Sequence, residues 1–116
     1  MFENHRLEFE VYDIHKYKRG VILSGRCVDG VIKPNDCFSF LYELDYKKEE
    51  GVSKVIGYKN LEDIEMIVQE IECYRKPVQE LVKGYSGGLY IVGSNILEEQ
   101  TFSQLQVANT LPFLNK

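Results

Sequence analysis

The residues able to do chemistry are scattered along the chain. His5 and His15, the only histidines, both fall in the first fifteen residues, and no serine or cysteine accompanies either at a spacing that would pair a nucleophile with a base. Cys27, Cys37 and Cys73 are odd in number and form no C-x-x-C pair, so neither a disulfide framework nor a zinc knuckle is expected, and reduced, buried thiols are. Neither histidine has a second ligand at metal spacing. The stretch Gly20 to Cys27 has the outline of a phosphate loop, G-x-x-x-x-G-K-[ST], but carries Arg26 and Cys27 where lysine and a hydroxyl are needed. Its interior, VILS, favours a strand, and no helix follows. The chain therefore reads as a non-enzyme with no nucleotide-binding motif, no cofactor and no metal.

What remains is binding chemistry. Residues 15 to 19, HKYKR, place Lys16, Lys18 and Arg19 around an aromatic ring, which suits either a phosphate or acidic partner or a solvated hairpin tip. Residues 71 to 76, IECYRK, combine Glu72, Tyr74, Arg75 and Lys76. A third cluster, Glu43, Asp45, Glu49 and Glu50, is acidic and suits a basic protein partner.

These residues need elements to position them. A chain of 116 residues makes one domain and buries about two-thirds of its unfolded surface. The net charge of −4 and pI of about 5.2 argue against a general nucleic-acid binder but leave room for a local basic patch. No apolar run reaches membrane-spanning length and the N-terminus is too charged for a signal peptide, so a cytoplasmic protein is expected.

Strands dominate the pattern. Leu7, Phe9 and Val11 alternate with Arg6, Glu8 and Glu10, and Ile14 breaks the phase as a bulge would. Residues 19 to 38 read as two strands joined by a tight turn at Asp29-Gly30, with a second corner at Pro34-Asn35. Phe38, Phe40 and Tyr42 share one face of the next strand. ELDYKKEEG reads as a long hairpin tip, VSKVIGY as a short strand, and KNLED as a turn capped by Asn60. Residues 64 to 76 fit a helix through Ile64, Ile67, Val68 and Ile71, or a strand bulged at Gln69-Glu70 through Ile64, Met66, Val68, Ile71 and Cys73. Leu105 and Val107 are core positions of a last strand, and Leu111, Phe113 and Leu114 are expected to dock on the body.

Two of these stretches carry a resemblance. Arg19, Gly20, Ile22, Leu23, Ser24, Gly25, Arg26, Gly30, Ile32, Lys33 and Asp36 resemble the V-V-T-G-R-V strand, Gly-ended turn and I-K-x-G-D of the second-domain barrel of translational GTPases of the elongation factor Tu type. Asn35 stands where that family prefers glycine. Ile71, Glu72, Arg75, Lys76, Gly84, Gly88, Leu89 and Gly93 resemble its I-E-M-F-R-K, A-G-x-N-x-G and following strand. The resemblance spans about residues 6–108. It departs at Ile91-Val92-Gly93, where the family has L-R-G, and at an insertion of about residues 43–62.

The resemblance implies a closed antiparallel β-barrel, all-β, with an inserted long loop, and it selects strand for residues 64–76. It also implies that Glu72, Tyr74, Arg75 and Tyr90 occupy the pocket that holds an aminoacylated tRNA end in that family. Two functions are expected, the first from the resemblance and the second from the net charge of −4, the small size and the acidic residues Glu43, Asp45, Glu49 and Glu50. One is a binding module for a protein or RNA partner linked to translation. The alternative is an acidic immunity-type inhibitor that neutralises a basic toxin through the acidic loop of Glu43, Asp45, Glu49 and Glu50.

Overall fold

A computed structural model describes residues 6–93 and 105–110. Its strands are β1 (Glu8–Tyr17), β2 (Gly20–Asp29), β3 (Val31–Ile32), β4 (Cys37–Glu49), β5 (Val52–Cys73), β6 (Lys76–Val78), β7 (Leu81–Val82), β8 (Ser86–Val92) and β9 (Leu105–Ala108). The large sheet runs β4-β9-β1-β2-β8-β5-β6, and β4 also pairs with β5. Six strands thus close into an all-antiparallel ring. No helix among the described residues is long and apolar enough to cross a membrane.

The apolar alternation builds the interior. Phe9, Val11, Val21, Leu23, Phe38, Met66, Val68, Leu89, Ile91 and Val107 are buried in one cluster. The register of β1 against β2 shifts between Val11 and Asp13, which returns Ile14 to the core. Residues 64–76 are strand up to Cys73, with the bulge between Val68 and Glu70. Ile64, Met66, Val68 and Ile71 are buried, and Leu105 and Val107 line the core as expected. Gly25 lets β2 cross close to β1, because a Cβ there would overlap the Glu10 carbonyl oxygen.

Several expectations are corrected. Gly30 turns the chain with φ 79°, but β3 does not fold back on β2. It pairs with β7 in a separate two-stranded sheet, so Asp29-Gly30 is a corner and not a hairpin. The basic loop of residues 15–19 shrinks to a two-residue tip at Lys18-Arg19, with His15 to Tyr17 still in β1. Phe38 and Leu41 face the core while Phe40 is half-buried, because the β4–β5 register shifts on both sides of Leu41. Only Cys27 is a buried thiol; Cys37 is exposed and Cys73 half-buried. His5 and the apolar tail Leu111, Phe113 and Leu114 lie outside the described residues.

The largest correction is the region 43–62. The strand expected at VSKVIGY is present within β5, but the inserted loop is not: β4 and β5 run on as a two-stranded ribbon to a turn at Glu50-Gly51, with φ of 52° and 82°. Those angles suit a two-residue hairpin turn. Asn60, expected as a helix cap, sits inside β5 at φ 55°, beside a register shift where one residue of β4 faces two of β5. Its side-chain amide donates to Glu43 Oε2 at 3.2 Å. Alternation assigns the ribbon two unlike faces. Glu43, Asp45, Lys47 and Glu49 oppose Lys59, Gly57, Lys54 and Val52 on one; Leu44 and Tyr46 oppose Tyr58 and Val55 on the other.

Candidate functional site

The outer wall of the ring over β2, β8 and β5 gathers most of the residues singled out in the sequence. Cross-strand pairing sets them in two rows. Ile22, Tyr90 and Glu70 form one, and Ser24, Gly88 and Glu72 the next. Gly88 leaves a notch between its neighbours. A Cβ there would come no closer than 3.5 Å to Ile22 Cγ2. The notch opens a groove of about 120 Å³ lined by Tyr17, Ile22, Glu70, Glu72, Gly88 and Tyr90. Tyr17 reaches it from the end of β1 and meets the Tyr90 ring edge-on, centroids 5.4 Å apart at 88°. Lys18 Nζ stands 5.1 Å from the Tyr17 ring centre. The tip with Lys18 and Arg19 is thereby tied to the groove.

A second, more open concavity of about 310 Å³ lies alongside, lined by Pro34, Gln69, Ile71, Pro77, Val78 and Gln79. Glu70 and Glu72 line both, so the two carboxylates stand as a ridge between them. Neither carboxylate has an ion-pair or hydrogen-bond partner among the described residues, and no lysine or arginine lines either hollow.

At the end of this ridge β5 turns into β6. Cys73 pairs with Lys76, leaving Tyr74 and Arg75 as a two-residue tip with φ of 55° and 65°. Asn-Gly is the usual solution for such a turn, because left-handed backbone is unfavourable for residues bearing a Cβ. Tyr74 is 88% exposed, so burial does nothing to compensate.

The sequence-derived residues Glu72, Tyr90, Tyr74, Arg75 and Lys76 thus fall on one wall, and Lys18 and Arg19 at its margin. Lys16 is exposed on β1 but lines neither hollow. Glu43, Asp45, Glu49 and Glu50 lie apart on the ribbon, where lysines interleave with them and Lys47 Nζ lies 3.3 Å from Glu49 Oε2. Tyr17, Glu70 and Gly88 also line this groove, though the sequence did not mark them as site residues. Tyr17 was visible as the aromatic inside a basic run, and Gly88 only as a family match.

The remaining histidine, cysteine and carboxylate contacts among the described residues are local. His15 Nε2 sits 2.6 Å from Asp13 Oδ2 at the surface. Burial raises the Cys27 thiol above its ordinary range, and its Sγ lies 3.3 Å from the Gly30 carbonyl oxygen. No group of three or more potential metal ligands exists among the described residues. The chain matches no known protein-family model, and no curated protein is significantly similar to it.

Proposed function

We propose that this protein is a non-catalytic binding module whose ring is a barrel of the kind seen in the second domain of translational GTPases. It would engage a protein or RNA partner linked to translation in the cytoplasm. The observation that carries the reading is the Tyr74-Arg75 tip. An exposed tyrosine and arginine hold an unfavourable backbone where asparagine and glycine would serve the fold better. Tyrosine and arginine are also the side chains that most often dominate interfaces. Farther along the same wall Tyr17 and Tyr90 offer aromatic surface to a partner, and at the tip Arg75 and Lys76 offer charge. Asn35 supports the resemblance, since its φ of 79° is what the family's glycine would adopt.

The test is capture of partners from the protein's own cells, with and without nuclease, by the wild type and by Arg75→Glu/Lys76→Glu. Recovery of translation components that fails in the variant supports the module. Equal recovery by both proteins counts against it.

The second reading, an acidic inhibitor of a basic protein, is favoured by the unpartnered Glu70 and Glu72. Its earlier focus, the ribbon, carries lysines among its acids. Removing residues 45–51 without loss of affinity for a basic partner would move that contact away from the ribbon.

A further inference from the structure

We infer that the double groove on the ring wall accepts the cationic side chains of a basic, extended protein segment. This rests on the binding-module reading and names the chemistry of its partner. Three features converge. The carboxylates of Glu70 and Glu72 form the shared ridge between two hollows, and both are exposed and unpartnered. The walls are the tyrosine pair on one side and Pro34, Pro77 and Val78 on the other, which suits the apolar stem of an arginine or lysine. Among the described residues no lysine or arginine lines either hollow, and Lys18 stands over the Tyr17 ring at the groove margin, so charge opposite the two carboxylates is left for a partner to supply.

The chemistry disfavours nucleic acid in the groove itself. A phosphate would meet two carboxylates and no lining base. A guanidinium there gains charge-assisted hydrogen bonds from Glu70 or Glu72 and a face or edge of Tyr90. The smaller hollow, about 120 Å³, is the size of one side-chain head, and the larger, about 310 Å³, has room for the flanking residues of a strand-like segment.

The test is titration of the full chain with a labelled nine-residue peptide of alternating glycine and arginine, by anisotropy and by amide NMR shifts. Parallel titrations use a citrulline version of the peptide and a ten-nucleotide single-stranded RNA. Two variants attack the groove. Glu70→Gln/Glu72→Gln removes its charge, and Gly88→Val fills its notch without changing charge. A control, Glu49→Gln/Glu50→Gln, removes the same charge from the ribbon tip.

The expected result is that both groove variants weaken peptide binding about tenfold, the control changes it less than about twofold, and the shifts centre on Ile22, Gly88 and Tyr90. Equal weakening by control and groove variants would show diffuse attraction to an acidic protein and overturn the inference. Binding of the citrulline peptide as tight as that of arginine would do the same. RNA binding that depends on Arg75 and Lys76, with the peptide silent, overturns the basic-segment inference while leaving the binding module standing. If neither probe binds, the inference falls, and the partner capture decides the module separately.

Discussion

Tyr42 keeps its hydroxyl proton well above the ordinary tyrosine range, first because it is buried and then because it donates to Glu8. Its hydroxyl lies 2.6 Å from Glu8 Oε2, which also accepts from Gln106 Nε2 at 2.6 Å. Arg6 donates to the Tyr42 hydroxyl at 2.9 Å and to Glu8 Oε1 at 3.1 Å. This network joins β1, β9 and β4, away from the groove over β2, β8 and β5, and bears on stability. Tyr42→Phe leaves a half-buried carboxylate short of a donor, and the expected cost is about 2 kcal/mol at neutral pH. A lower denaturation midpoint with unchanged slope would report it. The pH dependence has a definite sign. Below about pH 10 the hydroxyl is protonated in both folded and unfolded chains, and its contribution is intact. As pH rises further, the unfolded chain releases the proton while the folded one holds it, so stability falls. Tyr42→Phe should flatten that alkaline decline; an identical decline in both proteins would place its origin elsewhere.

Elements show where backbone preference and use diverge. The tip of β5 and β6 carries Tyr74 and Arg75 in left-handed backbone, each costing about 1 kcal/mol relative to residues suited to it. Replacing the pair by Asn-Gly should stabilise the chain by about 1–2 kcal/mol in chemical denaturation and abolish partner capture. Stabilisation without loss of capture would remove the tip from the interface. The ribbon is the contrasting case. From Tyr46 to Ile56 none of its side chains is buried, and several apolar ones are largely exposed, Val52 by 60% and Ile56 by 59%. Joining Asp45 to Gly57, which already face each other, through Asn-Gly should leave the ring folded with its melting midpoint moved by only a few degrees. A collapse of cooperative unfolding would instead make the ribbon part of the folding unit. Sequence periodicity caught the hairpin and the short strand VSKVIGY but not the full length of the ribbon, for a physical reason. A strand is legible when one face is buried, and here Lys47, Lys48, Lys54 and Lys59 are solvated alongside Val55 and Tyr58, while bulges break the two-residue period.

At the scale of the whole molecule, burial and pairing divide what could be read in advance from what could not. The strands that line the core announced themselves through Leu7, Phe9 and Val11, through Val21 and Leu23, and through the bulged run from Ile64 to Ile71, because the interior demands an apolar side chain at every second position. Pairing left no such trace. That β3 would leave β2 for β7, or that Tyr17 would lean on Tyr90, is decided by contacts between residues far apart in the chain. The wall is the same: Glu72, Arg75 and Gly88 were legible as parts of short motifs, whereas the notch at Gly88 and the place of Glu70 beside it emerge only once β5 and β8 are neighbours. Closure itself is the most distant of these contacts. The ring is completed by β9, which sets Val107 beside Phe9 on one side and Leu41 on the other. Deleting residues 105–116 would open it along Glu8–Val11 and Phe40–Glu43, exposing two strand edges and the core behind them. Hydrogen exchange should then show β1 and β4 losing amide protection, together with dye binding to exposed apolar surface and oligomers on size-exclusion chromatography. A monomeric truncated chain that still unfolds in one cooperative step, with β1 and β4 protected, would mean that the remaining strands hold the core without closure. The pairing of β2, β8 and β5, which carries the proposed groove, would then hold without the strand that shuts the ring.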